Sequence, residues 1–204
     1  MTDGLRSVKV PPAVTTAAAA AATRSPADEM GERAVDAHLD GDVDEAANLY
    51  ETAIDIEPMH RRNLCNCALF TWKVKKDSDR AAALFKAAVF DPGGVDDAAA
   101  VSRSEGDREA QASALSLYAL FVDTQWEQST GTGFEGRDAH AVAVERLHAR
   151  ALRADPTHAV ALGRYARFAW QTRRDNTLAA ALFERALKVA PEDPRNLALS
   201  LIHI

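Results

Sequence analysis

Apolar residues recur three and four positions apart over most of this chain, and the same stretch of pattern returns along it. NLCNCALFTWKVKKDSDRAAALFKAAV, beginning at Asn63, and ALGRYARFAWQTRRDNTLAAALFERAL, beginning at Ala161, align without a gap over 27 residues. Leu64, Ala68, Phe70, Trp72, Asp77, Ala81, Leu84, Phe85 and Ala88 meet Leu162, Ala166, Phe168, Trp170, Asp175, Ala179, Leu182, Phe183 and Ala186. Upstream, GDVDEAANLYETAIDIEP (Gly41 to Pro58) matches the second half of this unit, 35 residues before its next occurrence. Between the two good copies, LSLYALFV (Leu115 to Val122) matches the first half and VERLHARALRADP (Val144 to Pro156) the second. Four units result, the third split by an extra 12 residues, with about 16 more ahead of it.

Each unit predicts a helical hairpin. In the second half, Ala81, Leu84, Phe85 and Ala88 fall on one face of a helix. Asp77 and Asp175 stand where an N-cap carboxylate would satisfy the exposed amides. Pro58, Pro92, Pro156 and Pro191 close the second helices, since proline cannot extend the hydrogen-bond ladder. Tyr50, Phe85 and Phe183 form one aromatic packing column, in which the third unit carries His148. A single hairpin cannot bury such a stripe alone, so the units are expected to stack into a solenoid.

The period and layout resemble the tetratricopeptide repeat (TPR) family over about Asp28 to Ala198, most closely in GDVDEAANLYETAIDIEP. The first helices depart from that pattern. LCNCALFTW and LGRYARFAW replace its usual tryptophan, leucine-glycine and tyrosine, and RYARF with FERAL leans towards the half-a-TPR relatives of RNA-processing scaffolds. The resemblance implies an all-α, right-handed α-solenoid of about four repeats plus the start of a fifth. It implies a non-enzymatic scaffold that binds a peptide or partner protein in its concave groove, the alternative being a scaffold subunit of an RNA-processing complex. The family's groove-facing columns carry over to Asn63, Asn66, Phe70 and Lys73 in unit two. In unit three they give Leu117, Phe121 and Gln125, and in unit four Arg164, Phe168 and Gln171. Phe70, Phe121 and Phe168 share a column: they either line the groove as an aromatic ladder or turn inward and pack between units. Trp72 and Trp170 are expected to face neighbouring helices. The Lys/Asn clamp of chaperone-binding TPRs is incomplete, because unit one offers Asp28, Gly31 and Val35 at its positions.

Composition narrows the partner class. The chain has 204 residues, is 47% hydrophobic and 26% charged, and carries a formal charge of −6. That balance suits a folded protein and argues against direct contact with nucleic acid, whose phosphates call for a basic surface. No run of 18 apolar residues occurs, so no membrane span is expected. Cys65 and Cys67 lie two apart on a helix, about 200° around its axis, and cannot chelate one ion together; they suit a reducing compartment. No metal or other cofactor is expected. GTGFEG (Gly131 to Gly136) spells a dinucleotide fingerprint, but QWEQST before it is no apolar strand, so a loop inside the insertion is predicted. The histidines are scattered, with Glu145 and His148 one turn apart as a local surface pair.

The ends differ from the middle. Residues 1–27 form an Ala/Pro-rich segment without periodicity, expected to be disordered; its first 26 residues carry a net charge of +2 from Arg6, Lys9 and Arg24 against Asp3. The protein is expected in the cytoplasm, the alternative being an organelle, with this acid-poor segment as a transit peptide. Asn196 and Leu197 restart a first helix, and then LSLIHI (residues 199–204) breaks the pattern. Those six residues are what CTG TCT CTT ATA CAC ATC encodes, the in-frame reading of a common sequencing adaptor. A truncated fifth repeat is therefore expected, which would leave an apolar edge prone to self-association.

Overall fold

A computed structural model of the chain describes residues 24–90, 104–130 and 136–192. Within them lie eight α-helices and no strand. The helices are α1 (Pro26–Asp40), α2 (Val43–Ile56), α3 (Arg61–Phe70), α4 (Ser78–Val89), α5 (Glu105–Thr130), α6 (Arg137–Ala154), α7 (Ala159–Phe168) and α8 (Asn176–Val189). A π-helical turn continues α3 over Thr71–Lys75 and α7 over Ala169–Arg173.

Local chemistry explains most boundaries. Ser25 and Asp28 form a reciprocal capping box on α1, so the helix begins two residues ahead of Asp28. Asp42, Asp77 and Asp175 each accept an amide hydrogen bond at the start of α2, α4 and α8, at 3.2, 2.9 and 2.9 Å. His60 and His158 do the same for α3 and α7, each accepting through Nδ1 at 3.3 and 3.1 Å. These two histidines hold equivalent places in the repeat. Pro58, Pro156 and Pro191 follow the ends of α2, α6 and α8, and Pro92 lies outside the described residues.

Every second helix is preceded by one residue in the left-handed region: Gly41, Lys76, Gly136 and Arg174. Glycine adopts that conformation freely; a lysine or arginine does so at a cost. After α1 the turn closes with the Asp42 amide on the Ala37 carbonyl. After the π turns it closes on carbonyls six residues back, Asp77 to Thr71 and Asp175 to Ala169.

The helices pair as α1–α2, α3–α4, α5–α6 and α7–α8, and the first helices α1, α3, α5 and α7 contact one another in series. The core lies between hairpins. Ala34, Tyr50, Cys67 and Phe70 join units one and two. Leu64, Trp72, Phe85 and Phe121 join units two and three, while Val144, Phe168, Leu182 and Phe183 join units three and four. Each stripe is thus buried by its neighbour, as a solenoid requires. The extra residues of the third unit are largely helical: α5 runs to Thr130 and α6 starts at Arg137. QWEQST is the last turn and a half of α5, so no strand precedes GTGFEG, of which only Gly136 is described. The segment 199–204 and nearly all of 1–27 lie outside the described residues.

Candidate functional site

Where α3, α5 and α7 run side by side, their C-terminal portions enclose a cavity of about 360 Å³. Trp72 and Lys73 enter from the π turn after α3, Leu120 and Asp123 from α5, and Arg164 and Phe168 from α7. A second cavity of about 170 Å³ adjoins it, sharing Asp123, Glu127 and Gln171 and ending at Arg137 and Arg174. The two form one furrow across units two, three and four.

Its floor is aromatic and its rim is charged. Trp72 packs edge-on against Phe121, with ring centroids 5.2 Å apart, and the Lys73 ammonium sits 3.4 Å over the Trp72 ring. His148 of α6 stacks parallel on Tyr165 at 5.1 Å and lies tilted against Phe168. Burial, with Arg164 and Arg167 adding to it, pushes its imidazole down to about 3, so the ring is neutral. Its Nδ1 is buried and has no hydrogen-bond partner among the described residues. Asp123 ties three helices together: it accepts from the Thr172 hydroxyl at 3.2 Å and lies 3.3 Å from Nε2 of His140, which stacks on Trp126. Burial, then Lys76 and Arg167, lowers the Lys73 ammonium below its ordinary value.

Of the residues carried over from the family columns, Lys73, Arg164, Phe168 and Gln171 converge on this furrow. Four others are occupied elsewhere. Asn63 is 1% exposed, and its amide donates to the Ala27 carbonyl at 2.8 Å, pinning α3 to the start of α1. Gly31 makes that approach possible, since a Cβ there would collide with the Asn63 Oδ1. Phe70 packs on His38 and Tyr50, Phe121 on Trp72 and Phe85, and Leu117 joins the same core. The aromatic column therefore turns inward: Phe70, Phe121 and Phe168 are 2%, 4% and 4% exposed. Asn66 and Gln125 are half-buried outside the furrow.

Gln125 misses the furrow because it stands four residues after Phe121, whereas Lys73 and Gln171 stand three after Phe70 and Phe168; Thr124 holds the equivalent place and lines the furrow with Asp123. Trp72 has the expected packing and also forms part of the wall, whereas Trp170 is half-buried against the last core. Glu145 pairs with Tyr165 and Arg173 rather than with His148. Asp123, Arg167 and Glu127 were not singled out by the sequence; each sits on a first helix close to a predicted column, and only the neighbour's register brings them together.

The other chemistry-bearing groups are packing groups. Cys65 faces the core between units two and three, and Cys67 the core between units one and two. Burial pushes the Cys65 thiol up to about 12 and raises Cys67 as well, which keeps both protonated and inert. Among the described residues no cluster of three metal-ligating side chains occurs, and no helix is long and apolar enough to cross a membrane.

Hairpins stacked in series, with first helices in one layer and the core shared between units, define a TPR-type solenoid. Solved structures agree on the fold. The chain is similar to PilF of Pseudomonas aeruginosa, a TPR protein, with a TM-score of 0.59 and 13% identity, covering 87% of this chain and 67% of that one. It is also similar to MamA of RS-1, another TPR protein, with a TM-score of 0.50 and 16% identity, covering 84% of this chain and 79% of that one. No family model and no curated protein sequence matches the chain.

Proposed function

We propose that this protein is a non-enzymatic scaffold that holds a segment of a partner protein in the furrow between α3, α5 and α7. The supporting observation is that successive first helices supply the furrow from corresponding stretches of the repeat: Trp72 and Lys73, Asp123 and Thr124, Phe168 and Gln171. An aromatic floor with charged rims suits a peptide, whose side chains need apolar burial and whose backbone needs polar partners. The reading as a subunit of an RNA-processing assembly rests on RYARF and FERAL. Tyr165, Phe168 and Phe183 of those segments are buried, so packing already accounts for them.

Filling the furrow tests the proposal. Gln171 is exposed on its rim, so Gln171→Trp obstructs it with little effect on folding. In a pull-down from the source cell with the full-length gene, a partner held in the furrow is lost from Gln171→Trp while the melting curve stays unchanged. Equal recovery by both proteins would move the interaction elsewhere on the molecule.

A further inference from the structure

The furrow differs in sign from the rest of the protein. Lys73, Arg137, Arg164, Arg167 and Arg174 line it, against Asp123 and Glu127. That is a local charge of +3 on a chain whose formal charge is −6. Asp123 offsets part of it while accepting from the Thr172 hydroxyl and lying beside His140. Among the described residues neither Lys73 nor Arg167 forms an ion pair with a carboxylate. Burial lowers both Lys73 and His148, and Arg167 adds to the lowering of each.

We propose that the occupant of this furrow is an acidic peptide segment, its carboxylates set against Lys73, Arg164 and Arg167 and an apolar side chain between them lying over the half-buried Leu120, beside the edge of Trp72. This assignment rests on the furrow being the binding surface. An acidic segment is repelled by the remainder of an acidic protein and attracted here, which fixes where and in what register it docks. A nucleic-acid strand fits less well. A strand carries a phosphate at every nucleotide and must set some of them against Asp123 and Glu127, whereas a peptide can place neutral amides beside those two and its carboxylates beside Lys73 and Arg167.

The full-length protein is immobilised and offered a random linear peptide library at low and at high salt, in parallel with Gln171→Trp, Lys73→Glu/Arg167→Glu and poly(U) RNA. The expected result is recovery of peptides rich in Asp and Glu with an interspersed apolar residue. Their affinity falls about tenfold in the charge-reversal variant and also in high salt, as for partly exposed ion pairs. Lys73→Gln/Arg167→Gln serves if reversal disturbs the circular dichroism melt. Neutral or basic peptides that Gln171→Trp still excludes would overturn the acidic assignment and leave the furrow as the binding surface. Recovery of no peptide sensitive to Gln171→Trp would overturn both. Tighter binding of poly(U) than of the acidic peptides, lost on charge reversal, would overturn it in favour of nucleic acid.

Discussion

Replacing His148 by phenylalanine should make this protein more stable and less sensitive to acid. Its column holds Tyr50, Phe85 and Phe183 in the other units, so the cavity between α5, α6 and α7 is of a kind that takes an aromatic ring. The imidazole is 2% exposed, with Nδ1 buried and unbonded among the described residues. An unsatisfied buried polar atom costs about 1–3 kcal/mol, which phenylalanine does not incur, less some overpacking from its larger ring. Titration adds a pH term. The folded value of about 3 lies below the ordinary 6.5, so the unfolded chain binds more protons throughout that interval. Stability is therefore full above pH 6.5 and falls as the pH drops towards 3, by about 1.4 kcal/mol per pH unit, or about 2 kcal/mol by pH 5. Urea unfolding followed by circular dichroism between pH 8 and pH 5 measures both effects. His148→Phe should remove close to one proton's worth of slope and leave a smaller remainder from His158, whose value burial also lowers. An unchanged slope, together with a loss of stability at neutral pH, would refute this account of the buried imidazole.

Gly31→Ala should destabilise by about 1–3 kcal/mol, since the new methyl displaces the Asn63 amide from the Ala27 carbonyl; adding Asn63→Ala should recover part of the loss in a thermal melt. Phe121→Ala should cost roughly 3–5 kcal/mol, about as much as Trp72→Ala, because both rings belong to the core between units two and three; a loss under about 1 kcal/mol in denaturant titration would mean that the ring is not buried. Arg174→Gly should raise stability by up to about 1 kcal/mol by relieving the left-handed backbone at φ 57°, with the melting temperature as the readout.

The hairpins were legible because their cues are local. Apolar spacing marked the faces, Asp77 and Asp175 marked helix starts, and Pro58, Pro156 and Pro191 marked helix ends. Two local cues went unused. His60 and His158 stand 98 residues apart, as Asn63 and Ala161 do, and that coincidence marks them as repeat-equivalent caps. The αL positions at Lys76 and Arg174 are repeat equivalents, 98 residues apart, and Lys76 falls 35 residues after Gly41 of unit one.

The sequence by itself determined an all-helical array of hairpins and the inventory of its core, since periodicity and capping depend on neighbours three or four residues away. It also determined that a lone histidine sits in an aromatic column. Tertiary structure decided the fate of the side chains between units. Whether Phe70 and Phe121 face a groove or a core depends on how far each hairpin rotates against the next, and the packed answer buried both. The positive furrow itself arises only when α3, α5 and α7 lie side by side. Arg164, Arg167 and Arg174 are dispersed along the chain from Lys73, and their charges sum only across a distance that folding sets.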